Sequence, residues 1–127
     1  MPSPAQTYAK NAQTTGNPRE LEAQLLMRAA SRLQAIKDGA VTEMTAVLSA
    51  IRYNRRLWLI FADAVGRPEN QLPLEIKKNL SSLAVFVLNR SMSLETATEP
   101  KPERVGVLIN INREIAAGLR TNTSAAA

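Results

Sequence analysis

The sequence predicts an all-α protein, built as one compact, bundle-like domain of about four helices with flexible N- and C-terminal tails. Apolar residues recur at three- and four-residue spacing in four blocks, each longer than an ordinary strand. Helix start and stop signals separate these blocks, and apolar and polar residues nowhere alternate for long. A chain of 127 residues with 45% hydrophobic content suits one domain with one core.

The helical domain is expected over residues 17–120. Residues 1–16 are rich in Pro, Ser, Thr, Gln and Asn, so they are predicted to form a flexible N-terminal tail. Residues 121–127, with the sequence TNTSAAA, are predicted to be a frayed C-terminal tail.

The first two helices have clear boundary signals. Asn17 suits the N-cap of the first helix, with Pro18 at its first position and Glu20 at the capping-box position. Gly39 fits its end. The second helix is expected over residues 42–65, ending at a glycine that is soon followed by a proline.

The third and fourth helices follow a similar pattern. Residues 70–73, Asn-Gln-Leu-Pro, begin the third helix, which is expected to fade near residues 91–93. Residues 94–101 form a connection, and Pro102 begins the fourth helix. Short joints between the helices predict antiparallel neighbours in a bundle.

The composition argues against catalysis. The chain has no cysteine and no histidine, which excludes thiol chemistry, disulfides, zinc fingers and a Ser-His-Asp triad. Glycine is scarce, no phosphate-cradling loop is present, and the carboxylates have no positioned partner. We therefore expect no catalytic residue, no metal ligand and no cofactor, and a protein that is not an enzyme.

Hydropathy and charge bound the location and the partners. No window approaches the ~18 apolar residues of a membrane span, and the start lacks the pattern of a secretory signal. A cytoplasmic protein without membrane insertion is expected. The net charge of +5 permits an acidic partner, but the cations are spread along the chain with acids interspersed. DNA binding is not expected, and neither is direct RNA binding, because stacking platforms and nucleic-acid motifs are missing.

The stretch Tyr-Asn-Arg-Arg-Leu-Trp in the second helix contains the only tryptophan. At 100° per residue, Asn54 and Trp58 lie on the same apolar face as Ile51, and Asn112 lies at the centre of the apolar arc of the fourth helix. A buried, unpaired amide costs about 1–3 kcal/mol. We therefore predict that Asn54 and Asn112 are buried polar residues that hydrogen-bond within the bundle and fix helix register, the alternative being ligand contact.

A second apolar stripe lies on another side of the same helix. Tyr53, Leu57 and Ile60 form it, and Arg52 and Arg56 lie at its polar edge. These five residues are candidate partner-binding residues, because Tyr and Arg often anchor interfaces. Internal packing of the stripe is the open alternative.

Several motifs in order resemble the flagellar biosynthesis regulator FlaF family of alphaproteobacteria. The resemblance extends over residues 8–119 and rests on short segments in the same order and spacing: Tyr8 in the tail, PRELE at 18–22, NRRLW at 54–58, NQLP at 70–73, Asn112-Arg113 and Gly118-Leu119.

The resemblance implies a small cytoplasmic, non-enzymatic protein that is needed for flagellin production and filament assembly. FlaF-like proteins look like flagellin-binding export chaperones that couple flagellin synthesis to secretion, and they act alongside a FlbT-like translational regulator. Flagellin is thus the implied partner. The alternative is a direct mRNA-binding post-transcriptional regulator of flagellin expression.

Overall fold

Four α-helices make up most of the residues that are described in the computed structural model. It describes residue 4 and residues 18–97 and 101–126, with side chains described as far as residue 121. The helices are α1 (Pro18–Lys37), α2 (Met44–Gly66), α3 (Leu74–Glu95) and α4 (Gly106–Ala126), and a short 3-10 helix (Pro102–Val105) precedes α4. The predicted all-α bundle of four helices is confirmed. Apart from residue 4, the predicted N-terminal tail lies outside the described residues.

Helix α1 begins and ends where the sequence predicted. Pro18 is its first residue, and proline suits this position because the first backbone N–H groups of a helix have no intrahelical acceptor. Gly39 closes it with a φ of 80°, a left-handed conformation that glycine adopts without strain. The Ala40 amide then donates to the carbonyl of Ala35 at 3.0 Å, which satisfies one of the last carbonyls of the helix.

Helix α2 begins two residues later than expected, because Glu43 supplies its N-cap. The Glu43 carboxylate accepts hydrogen bonds from the backbone amides of Thr45 at 3.2 Å and Ala46 at 3.0 Å. These bonds, the one from Thr45 first, hold the pKa of the Glu43 carboxyl below its usual range. A carboxylate at this position also faces the positive end of the helix dipole.

The joint between α2 and α3 depends on Asn70. Its side-chain nitrogen Nδ2 donates to the carbonyl of Ala64 at 3.2 Å, and its Oδ1 accepts from the Leu72 amide at 3.0 Å. One side chain therefore caps the end of α2 and shapes the turn that leads to Pro73, which precedes α3. The Asn-Gln-Leu-Pro motif is in this way a helix-joining device.

Helix α3 continues past the predicted fade at residues 91–93. Ser91 and Leu94 are buried, so packing holds the last turn in helical form although serine is a modest helix former. The Thr96 hydroxyl donates to the Met92 carbonyl at 3.0 Å just beyond the end at Glu95. The predicted connection at residues 94–101 is correspondingly shorter, and residues 98–100 lie outside the described residues.

The fourth helix also differs at its boundaries. Pro102 begins a turn of 3-10 helix as far as Val105, and the α-helix proper starts at Gly106. The helix then runs to Ala126, so it includes residues 121–126, which lie in the predicted C-terminal tail.

The helices associate as two pairs that share a core. Helix α1 packs mainly on α4, α3 packs mainly on α2, and contacts between α1 and α2 join the pairs. Trp58 and Phe61 lie at the centre, with ring centroids 5.5 Å apart in an edge-to-face arrangement. This arrangement leaves α3 as an outer helix with α2 as its principal neighbour.

Candidate functional site

The two predicted core amides form one buried hydrogen-bond network. Asn54 and Asn112 are both 0% exposed. Trp58 Nε1 donates to Asn112 Oδ1 at 2.8 Å, and Asn112 Nδ2 donates to Asn54 Oδ1 at 2.7 Å and to the Leu26 carbonyl at 3.1 Å. The predicted burial and cross-helix bonding are thus seen, and the network joins α1, α2 and α4.

The orientation of both amides follows from the chemistry of the indole. Because the Trp58 N–H can only donate, it must meet the oxygen of Asn112, and the Asn112 nitrogen must then meet two acceptors. Asn54 Oδ1 is one of these, which leaves Asn54 Nδ2 as a buried donor without a partner among the described residues. Neither amide reaches the surface, so the network joins the helices inside the core.

The predicted partner-binding stripe is not a continuous surface. Leu57 is only 2% exposed and belongs to the core, so it is not available to a partner. Tyr53 and Ile60 are half-buried, and Arg52 and Arg56 are exposed. Helical angles place Leu57 on the predicted side of α2 but do not reveal that the assembled core buries it.

Two arginines next to this stripe share one partner. Glu95, at the end of α3, accepts from Arg55 Nε at 2.8 Å and from Arg52 Nε at 3.1 Å. The Arg55 guanidinium makes a second bond to the same carboxylate at 3.1 Å, which gives the two-point geometry that arginine and carboxylate favour. This cluster, Arg52, Arg55 and Glu95, fastens the last turn of α3 to α2 and is called the Glu95 clamp.

A basic surface adjoins the Glu95 clamp along the seam of α2 with α1, and it shares Arg52 with the clamp. The guanidinium of Arg32 lies 4.7 Å from the centroid of the Tyr53 ring, and its Nη2 donates to Ser49 Oγ at 3.3 Å. Exposed arginines lie one helical turn away on each helix. We call this the α1–α2 basic surface; it consists of Arg28, Arg32, Arg52 and Arg56 around Tyr53.

The outer face of α3 carries an apolar row that the sequence analysis missed. Leu74 is 66% exposed, and Val85 and Met92 are each 58% exposed. They are separated by eleven and seven residues, close to three and two whole helical turns, so they share one face. Phe86 lies beside them at 39% exposure. We call these four residues the α3 outer face.

The inner face of α3 combines large and small side chains. Its buried residues are Leu80, Ala84, Val87, Ser91 and Leu94. Two of these five side chains are small, and the Ser91 hydroxyl has no hydrogen-bond partner in the described part of the chain. A helix that is apolar on opposite sides is typically covered on both. Among the described residues, α2 is the principal neighbour of α3 and packs on one side of it.

Two further properties of the described residues concern metal binding and membrane spanning. No group of three or more His, Cys, Asp or Glu side chains that could hold a metal ion occurs among the described residues. Within the same residues, no helix combines the length and the apolar character needed to cross a membrane.

The fold and these surfaces define a class: small helical-bundle proteins with a closed core and an uncovered apolar helix face. The model of the family described as flagellar protein FlaF matches residues 4–119, nearly the whole chain. The chain therefore belongs to the FlaF family of flagellar proteins, as the sequence resemblance predicted. No curated protein and no solved structure matches the chain with significant similarity.

Proposed function

We propose that this flagellar protein is a cytoplasmic, non-enzymatic export chaperone that binds flagellin and couples flagellin synthesis to secretion. Membership of the FlaF family supports a flagellar role. The observation that carries the chaperone role is the α3 outer face, because large apolar side chains in a row on an exposed helix mark an interaction surface. A FlbT-like translational regulator is proposed as a second partner.

The geometry of the α3 outer face suits a helical client. Its residues lie along a helix of 22 residues, so an amphipathic helix laid beside α3 would cover Leu74, Val85 and Met92 together. Ser81 lies between Leu74 and Val85 on this face, and its small side chain allows close approach of a second helix at that point. Leu57 is buried, so the client contact is proposed on α3 and not on the stripe through Tyr53.

The proposal predicts that polar substitutions on the α3 outer face weaken flagellin binding. The double variant Val85→Ser/Met92→Ser removes two exposed apolar anchors, and the affinity for flagellin is expected to fall about tenfold or more. Affinity is measured by titrating purified flagellin monomer, and recovery of flagellin, FlbT-like protein or message from a flagellated cell is followed by mass spectrometry.

Leu59→Ser is the matched control, since Leu59 is 46% exposed but lies on α2. It is expected to leave the affinity unchanged, and circular dichroism checks that all variants keep their helices. Wild-type protein that fails to bind flagellin would reject the chaperone role. Unaltered binding by a well-folded double variant would instead reject only the α3 outer face as the contact.

A further inference from the structure

The basic residues of α1 and α2 are segregated from acidic ones. Residues 23–37 of α1 and residues 44–62 of α2 contain no Asp or Glu, although each stretch carries three basic residues or more. These are Arg28, Arg32 and Lys37 in α1, and Arg52, Arg55 and Arg56 in α2. The fold places the two stretches side by side. Acidic and basic residues are interspersed along the chain as a whole, but the fold brings these two basic stretches together in one positively charged surface.

Neighbouring elements neutralise little of this charge. Glu95 of α3 is the carboxylate that reaches α2, and it is shared between Arg52 and Arg55. Among the ion pairs of the described residues, none involves Arg28, Arg32 or Arg56. The α1–α2 basic surface thus keeps an excess of positive charge, which attracts anionic groups.

The cations are also ordered in space. Arg28 and Arg32 are four residues apart on α1, and Arg52 and Arg56 are four apart on α2, so each pair rises about 6 Å along its helix. Alternate side chains of an extended peptide are about 6–7 Å apart. Arg32 is held in place by Tyr53 and Ser49, so part of the surface is ordered before any ligand arrives.

We propose that the α1–α2 basic surface binds an acidic peptide segment of a protein partner. Carboxylates on every second residue of an extended segment match the spacing of the two arginine pairs, and guanidinium groups bind carboxylates with two parallel hydrogen bonds. This site lies mainly on the α1 side of α2 and shares only Arg52 with the Glu95 clamp, where α3 packs. The proposal is independent of the chaperone role.

An acidic peptide fits the surface better than single-stranded RNA does. Sequence-tolerant RNA binding relies on aromatic rings on which bases stack. Tyr53 is the aromatic residue of this surface, and the Arg32 guanidinium lies over its ring. Trp58 and Phe61 of the same helix are buried. The surface therefore offers charge and hydrogen-bond donors without a free stacking platform.

The test compares two probes and two charge-reversal variants of the full chain. The probes are a fluorescein-labelled peptide of alternating glutamate and serine and a labelled oligouridine. Arg28→Glu/Arg56→Glu reverses two cations of the surface, and Lys78→Glu/Lys101→Glu reverses two exposed cations elsewhere with the same change in net charge. Binding is followed by fluorescence anisotropy at low and at moderate salt, and circular dichroism verifies folding.

The wild type is expected to bind the peptide, and Arg28→Glu/Arg56→Glu to weaken that binding about tenfold. The lysine variant should keep the wild-type affinity within about twofold, because salt screens exposed charges that lie away from the binding surface. An equal loss in both variants would overturn the proposal, since it would indicate attraction to net charge alone. Tighter binding of oligouridine than of the peptide would overturn it in favour of nucleic acid.

A graded variant guards against a loss caused by misfolding. Arg28→Gln/Arg56→Gln removes the charges without reversing them and keeps part of each side-chain stem. Peptide affinity is expected to lie between those of the wild type and the glutamate variant. A glutamine variant that binds like the wild type would overturn the proposal.

Discussion

Asn112 connects three helices through a single side chain. It accepts from Trp58 on α2 and donates to Asn54 on α2 and to the carbonyl of Leu26 on α1. Asn54 makes just one bond in this network, and its nitrogen has no acceptor within the described residues. The two amides look equivalent in sequence, yet their removal has unequal consequences.

We expect Asn112→Leu to be more destabilising than Asn54→Leu. The first change leaves the buried indole N–H of Trp58 and the side-chain oxygen of Asn54 unpaired, which lowers the free energy of unfolding by about 3 kcal/mol or more. The second removes a donor that is already unpaired, so the expected loss is about 1 kcal/mol. Denaturant unfolding followed by circular dichroism measures both values, and equal losses would contradict the network as described.

The core amides could be predicted from the sequence, whereas the position of Leu57 could not. Asn54 and Asn112 share a helical face with large apolar residues, and burial of that face is fixed by the helical period alone. The fate of Leu57 depends on how many neighbours surround α2, and this is a property of the assembled bundle. The exposure of Leu74, Val85 and Met92 likewise depends on α3 having one principal neighbour.

At the scale of the element, two kinds of contact attach α3 to α2. Buried side chains, some of them small, pack along the helix, and ion pairs form at its last turn. Its buried face includes Ala84 and Ser91, so burial contributes less than for a helix with large side chains at those positions. At its last turn, Glu95 is bonded to two arginines of α2. The Glu95 clamp therefore carries an unusual share of the attachment of α3.

Replacing Glu95 by Gln is expected to loosen the end of α3. The amide keeps the shape but loses the charge that holds Arg52 and Arg55, with a cost of about 1–2 kcal/mol for this partly exposed cluster. Amide hydrogen exchange in residues 87–95 should accelerate more than exchange in α1. Glu75→Gln is the control, since Glu75 is exposed on the same helix. Equal protection of α3 in the wild type and in Glu95→Gln would show that apolar packing on α2 holds the end of α3 without the ion pairs.

Helix boundaries were predictable where a single residue determines them. Gly39 ends α1 because its φ of 80° is accessible to glycine at little cost, and this signal is visible in the sequence. The end of α3 depends instead on burial of Leu94 against other elements. The start of α2 depends on Glu43, which is a less common N-cap than the neighbouring Thr42.

At the scale of the whole molecule, charge is unevenly distributed. Positive charge gathers along the α1–α2 seam, where residues 23–37 of α1 and residues 44–62 of α2 carry no Asp or Glu. Like charges held near one another destabilise the folded state, and salt relieves that effect. The basic surface is therefore expected to lower stability slightly in the absence of a bound anion.

Arg56→Gln should raise the melting temperature at low salt. Relief of repulsion from one cation is worth about 0.3–0.5 kcal/mol, which corresponds to about 1–2 °C for a chain of this size. The gain should fade as salt is added, because screening also relieves the repulsion in the wild type. Thermal melts at two salt concentrations measure it. A gain that persists at high salt would assign the effect to side-chain packing.

The single tryptophan has a practical consequence. The Trp58 indole is fully enclosed and is bonded to Asn112, and it lies away from both the α3 outer face and the α1–α2 basic surface. Its intrinsic fluorescence therefore reports on the centre of the bundle without an added label. A partner that binds to either surface should leave the emission maximum unchanged, whereas a partner that separates the helices should shift it to longer wavelength.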